Sequence, residues 1–508
     1  MRAAWLFEMA TTAAEAATAS HLLVVPVLLP LVAAGVTLRC RPLAWQRALT
    51  FGTMGVLLLT AARLVLASDA GEIGVYRLGD WSVPVGIVLV LDRLSALLLA
   101  LTAVVAAASA WQAIGGADRE GPHFHALFLL LVAGLNGAFL AGDLFNLFVS
   151  FEILLIASYG LLAFGATRAR LRAGVHYVVL NLVGSSLFLV GIGLLYAVTG
   201  TLNMADLAAR IAAAPAADAV LLRSGAALLL VVFALKAALV PLSFWLPAAY
   251  TAASPSVAAL FALMTKVGVY AIVRTGALLF GPDAGVAADA FAPWLLPASL
   301  ATIAVGALTA LAAREMRRLL SALLLASVGT MLIGVALASE QALAAALFYL
   351  VHSTVAAAFL FVVAGLTEQR RDRQVVVGSL FFVGAVASAG VPPLSGFIGK
   401  VLILQAAAGG SAAPWLWGTI LGASVLAVLA LSRRGAAVYW AGEAPVVGAA
   451  HRAPGAEPSL LPASALLVAL LALTAFAGPA TGFAARTAAQ VLQPADYIAS
   501  VLGSPGGR

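Results

Sequence analysis

Of the 508 residues 63% are hydrophobic and only 10% charged, and apolar stretches of about 18 residues or more recur along the whole length, which excludes a water-soluble globule and indicates an integral membrane protein. One cysteine, Cys40, and six scattered histidines leave no spacing for a disulfide, a redox cluster or a metal site, and no cofactor is expected. The net charge of +7 fits the arginines of membrane loops and gives no reason to expect a nucleic-acid partner.

In chain order, the first apolar stretch, 21–38, follows a segment with Glu8 and Glu15 and no basic cluster, so it is taken as a spanning helix and not a cleaved leader. Further spans are expected at 48–67, 86–112, 124–141, 143–165, 174–198, 219–243, 254–280, 291–313, 317–338, 341–367, 375–406, 414–433 and 459–482, about fourteen in all. Arg39, Arg41 and Arg47, then Arg119, then Arg168, Arg170 and Arg172 fall in the first, third and fifth loops. Arg314, Arg317, Arg318, Arg370, Arg371, Arg373, Arg433, Arg434 and Arg452 continue the series in the ninth, eleventh and thirteenth. The positive-inside rule makes these loops cytoplasmic, with both termini outside.

The seventh and twelfth spans are longer than a simple crossing needs and share Pro-Leu-Ser, at Pro241 to Ser243 and Pro393 to Ser395. Proline removes a backbone donor, so each is expected to be a broken helix. Their five-span separation suggests two inverted repeats, an arrangement that places ion sites near the midplane. The expected fold is therefore all-α, with spans one to three at 1–115, the repeats at 124–280 and 291–433, and a last span and tail at 459–508.

The chain holds 25 Arg but only three Lys, and Lys236, Lys266 and Lys400 all lie within spans. Each buried ion costs about 2.5 to 3.5 kcal/mol on the insertion scale, and lysine, unlike arginine, releases its proton when desolvated. Glu152, alone among acids between Asp143 and Asp206, is the expected partner of Lys236 in a switch built on one ion pair. Tyr159 follows on the same face, and His352 forms a polar stripe with Tyr349 and Ser353. His176 is expected at a cytoplasmic proton inlet, and Asn181 and Ser185 on a face that holds water. His123 and His125 are expected to meet solvent, and Arg274 and Asp283 to anchor the interface.

The stretches GDLFNLFVSFEILLIASYGLL and FALKAALVPLSFWLPAAYTAASPSVAALFALMTKVGVYAIVR resemble the antiporter-like subunits shared by multisubunit Mrp-type cation/proton antiporters and respiratory complex I, the Mrp type in particular. The resemblance covers most of the chain and is densest from Gly142 to Arg274. It implies a fourteen-helix fold with a hydrated polar axis, on which Glu152, Lys236, Lys266, His352 and Lys400 take the family's proton-carrying places. Some members carry a lysine one turn after the histidine; here Ala356 stands there. The implied function is a non-enzymatic, proton-translocating subunit, working with other Mrp subunits to exchange Na+ or K+ for protons. The rival is a proton-pumping subunit of an NADH-quinone oxidoreductase or membrane hydrogenase. A structural scaffold and a self-sufficient transporter are further alternatives.

Overall fold

The computed structural model describes residues 21–369, 374–441 and 459–503. Arg370, Arg371, Arg373, Arg452 and both chain ends lie outside the described residues. Helices α1 (Val25–Arg39) and α2 (Leu43–Asp69) lead into an antiparallel hairpin of β1 (Gly74–Arg77) and β2 (Val88–Leu91), then α3 (Arg93–Ala113). The hairpin replaces the start of the expected third span. Val88 to Leu91 is apolar enough to pass for membrane helix, but α3 begins only after Asp92, whose side chain accepts from Ser95 N and caps it.

There follow α4 (Phe124–Leu140), α5 (Leu144–Ala163), α6 (Arg168–Thr199), the short amphipathic α7 (Met204–Ala212), α8 (Ala219–Ala237), α9 (Trp245–Ala252), α10 (Pro255–Phe261) and α11 (Met264–Leu278). The remainder comprises α12 (Ala292–Ala312), α13 (Met316–Ala336), α14 (Glu340–Gln369), α15 (Gln374–Ala389), α16 (Ser395–Ala407), α17 (Ala413–Gly435), α18 (Leu461–Ala475), α19 (Ala477–Leu492) and α20 (Ala495–Leu502). Among the described residues ten helical stretches are long and apolar enough to cross a membrane, eleven if α18 and α19, bent by 80°, form one span. The expected first, fourth and twelfth spans hold shorter apolar helices, α1, α4 and the α15–α16 pair, so helix length alone does not reach fourteen.

Both broken helices stop in the same way. Ala238 and Gly390, each three residues before the shared proline, adopt φ of 61° and 75°. The amides of Ala238 and Leu239 return to Leu235 O and Ala234 O at 3.1 and 2.8 Å, and those of Gly390 and Val391 to Ala387 O and Val386 O at 3.2 and 3.1 Å. This left-handed cap satisfies carbonyls that the break would otherwise orphan in the interior. Helix adjacency repeats as well: α4 on α5, α5 on α6, α6 on α8 and α8 on α11 are matched by α12 on α13, α13 on α14, α14 on α15 and α15 on α17.

At the centre, the most apolar stretch of the α10–α11 span is 100% buried. Its approach to α8 requires Gly268, where a Cβ would stand 2.8 Å from Ala237 Cα and from Lys236 C. The helix carrying Lys266 is thereby seated directly on the turn that bears Lys236.

Candidate functional site

Two buried polar clusters hold most of the expected residues. In the first, α6 lies between α5 and α8 and presents Asn181 and Ser185 one turn apart. Ser185 Oγ donates to Glu152 Oε1, and Lys236 Nζ donates to Asn181 Oδ1 at 3.0 Å. Asn181 is itself fixed by donating to Tyr177 O at 2.8 Å. The expected contact between Glu152 and Lys236 is not made; each charge is held by a neutral group of the same helix, and the two interact through space. The small side chains of α6 reach both partners, which is why the pair is split.

Lys236 lies in the last turn of α8, where the helix dipole favours a cation. Beside it a cavity of about 10 Å³ is lined by Tyr177, Asn181, Lys236, Trp245 and Met264, a volume at the lower limit for one water. Tyr159 makes no bond to Glu152. Its ring meets that of Tyr177 edge-on at 5.3 Å, and the Tyr177 hydroxyl lies 3.0 Å from Ser158 Oγ.

The second cluster surrounds the second break. His352 Nδ1 lies 2.8 Å from Ser395 Oγ, the serine of the repeated Pro-Leu-Ser. Lys400 projects from the limb after the break, yet its Nζ returns to Ala389 O at 2.8 Å and Ser424 Oγ at 2.9 Å. A cavity of about 40 Å³ is lined by Tyr349, His352, Ser353, Ala356, Ser388 and Lys400, room for more than one water. The place of the absent family lysine thus borders a space lined by both polar and apolar side chains.

Lys266 is fully buried in α11, with Thr265 Oγ1 at 3.4 Å its hydrogen-bond partner. Its helix packs against both α8 and α13, between the elements of the two clusters. His176 joins neither: it is exposed and turned to Arg172 O at 3.2 Å. Two expectations are overturned. His125 is 1% exposed, bonded to Thr50 and Asp118. Burial alone would raise the Asp118 carboxyl, but His125 and Arg47 outweigh it and hold it below its usual range. Arg274 is no interface anchor: it is 4% exposed and pairs with Asp92 at 2.6 Å. Burial opposes ionisation of Asp92, and Arg274 more than offsets it. Thr50 is distant in the chain from His125, as Asp92 is from Arg274, so local pattern could not reveal either burial.

The family model described as NADH:quinone oxidoreductase/Mrp antiporter, TM, matches residues 141–429. The D-type subunit of a probable K(+)/H(+) antiporter from Rhizobium meliloti is 41% identical across 96% of this chain and 98% of its own. The corresponding D-type subunit of a Na(+)/H(+) antiporter from Alkalihalophilus pseudofirmus is 36% identical across 95% and 99%. Among solved structures, a chain of the Mrp complex from Dietzia sp. superposes with a TM-score of 0.83 at 29% identity, covering 96% of this chain and 100% of the other.

Proposed function

The chain belongs to the NADH:quinone oxidoreductase/Mrp antiporter membrane family, and from that premise we propose that it is the proton-translocating D-type subunit of a multisubunit monovalent cation/proton antiporter. The relatives that match nearly end to end are named for Na+ or K+ exchange, which favours this reading over a redox-driven pump. The proposal includes a hetero-oligomeric assembly with other subunits, repeats at 124–280 and 291–433 of inverted orientation, and arginine-rich loops on the cytoplasmic side with both termini outside.

The observation that carries the mechanism is the bridging of Glu152 and Lys236 by one face of α6. With its ammonium on a neutral amide, Lys236 can release a proton without breaking an ion pair, and the carboxylate of Glu152 nearby sets how readily it does so. Lys266, on the helix packed between the two clusters, continues the route to His352 and Lys400, and the spaces beside Lys236 and between His352 and Lys400 supply room for water. Glu152→Gln removes the charge while keeping the shape and the Ser185 contact. Salt-triggered proton exchange in everted vesicles is expected to vanish in this variant while native gels show a normal complex; full exchange at normal assembly overturns the mechanism.

A further inference from the structure

At the end of the helices opposite the arginine-rich loops, Asp143 and Asn203 cap two helices that meet. Asp143 Oδ1 accepts from Asn146 N at 2.6 Å at the start of α5. Asn203 Oδ1 accepts from Ala205 N and Asp206 N at 3.1 and 3.2 Å at the start of α7. The two residues face each other in an antiparallel bridge, flanked by Leu144 N to Leu202 O and Met204 N to Gly142 O, both 2.9 Å. Residues so paired project their side chains to the same side. Each cap leaves one polar atom over: among the described residues Asp143 Oδ2 and Asn203 Nδ2 make no hydrogen bond of good geometry, although the residues are only 7% and 1% exposed, and the amides of Val88 and Phe145 also face the Asp143 carboxyl. Tyr497 of α20 is 4% exposed, its hydroxyl is likewise unpartnered, and it lies within electrostatic reach of Asp143.

Buried polar atoms without partners are few in native interiors, and these three make a particular set. A carboxylate oxygen accepts, an amide NH2 donates and a phenol does either, which is what one bridging water needs. The amide donor and two helix N-termini directed at the same place disfavour a metal cation. Behind them, Lys266, Tyr270 and Arg274 stand at intervals of four on one stripe of α11, about 6 Å apart along its axis. Arg274 Nε reaches Tyr270 Oη at 3.4 Å, and its guanidinium lies 5.1 Å from the centre of the Tyr497 ring.

We propose that Asp143 is a proton-exchange site, loaded and emptied through a water held by Asp143 Oδ2, Asn203 Nδ2 and Tyr497 Oη, at the end of the α11 stripe that begins at Lys266. It rests on the proton-translocating reading above and adds to it a terminus on the outer face. In the loading step the Asp143 carboxylate takes a proton from hydronium, giving the neutral acid and water; release is the reverse, and nothing is oxidised. The neighbouring charged and titratable groups are Tyr497 on α20, Asp92 before α3, Tyr270 and Arg274 on α11, and Asp206 with Arg210 on α7. Arg274 is occupied by Asp92 at 2.6 Å and Arg210 by Asp206 at 3.0 Å, so among the described residues no cation neutralises Asp143. Burial pushes its carboxyl up to about 6 against backbone hydrogen bonds that favour the ion. It is neutral below that pH and ionised above it.

Asp143→Asn keeps a good helix cap and removes the titrating group. In the assembled wild-type complex, acid-minus-base infrared spectra should show a carboxylic acid band appearing near pH 6, absent from Asp143→Asn. Everted vesicles carrying Asp143→Asn should exchange about tenfold more slowly, with no step near that pH on the lumenal side. A wild-type pH profile in assembled Asp143→Asn overturns the site. Should that variant not assemble, Tyr497→Phe removes one hydroxyl only, and an unmoved band midpoint there overturns it equally. The band should persist in Glu152→Gln, so loss of the Asp143 site and loss of the main mechanism are told apart.

Discussion

Lys236 and Arg274 lie in neighbouring buried helices and are treated in opposite ways. Arg274 is given a carboxylate at 2.6 Å and two aromatic rings, Tyr270 and Tyr497, whereas Lys236 is given an uncharged amide at 3.0 Å. A guanidinium stays protonated in any such site; an ammonium on a neutral partner need not. Lys236→Arg should therefore abolish exchange nearly as completely as Lys236→Ala in complexes that assemble normally by native gel. Substantial exchange with arginine there would assign Lys236 to structure. The placement of every lysine within an apolar helix was legible in the sequence. The neutral partner was not, because Asn181 could be put on a helix face but its direct bond to Lys236 depends on how α6 crosses α8.

At the scale of elements, the second cluster is a chamber walled by α12 to α17, with lining from Ala307, Thr330, His352, Ser388, Lys400 and Ile420. Water in such a chamber can pass protons between His352 and Lys400, and a small residue at 356 keeps the space open. Ala356→Val is expected to cut vesicle exchange several-fold at normal assembly, while Ala356→Ser, which keeps the space polar, should retain it. Equal exchange in both would show that the chamber is not on the route. The repeated proline made both breaks legible in the sequence. The left-handed residue was legible only at Gly390, since its counterpart is Ala238, a residue that rarely adopts positive φ. The hairpin and α7 escaped notice because a buried strand and a short amphipathic helix carry no spanning-length signal.

For the whole molecule, the last helix limb of the first break is gripped from both repeats. Arg170 of α6 donates to Ala252 O at 3.3 Å and pairs with Glu120, and Arg317 of α13 donates to Ala253 O at 2.5 Å and pairs with Glu368 at 3.1 Å. The chain thus holds its two polar clusters in one frame. Because exchange is proposed to need the other subunits of the assembly, purified chain in proteoliposomes is expected to show no Na+- or K+-dependent proton movement, measured with an entrapped pH dye; robust exchange would make it a transporter by itself. The run of apolar spans announced a multi-pass membrane architecture, but the burial of His125 and Arg274 came only with long-range packing.

The enclosure of α10 and α11 also bears on how the chain is made. The pair packs against α3, α4, α7 and α8, which are synthesised before it, and against α13, α14 and α19, which follow. Its face toward α13, α14 and α19 therefore stays uncovered until those helices are made. Asp92 is already in place when Arg274 arrives, so that charge can be met at once. Among the described residues no acid pairs with Lys266, and for the interval before the later helices close around it, neutrality is its cheapest state in lipid. The residue proposed to hand on a proton is thus also one that the unfinished protein can hold in the membrane.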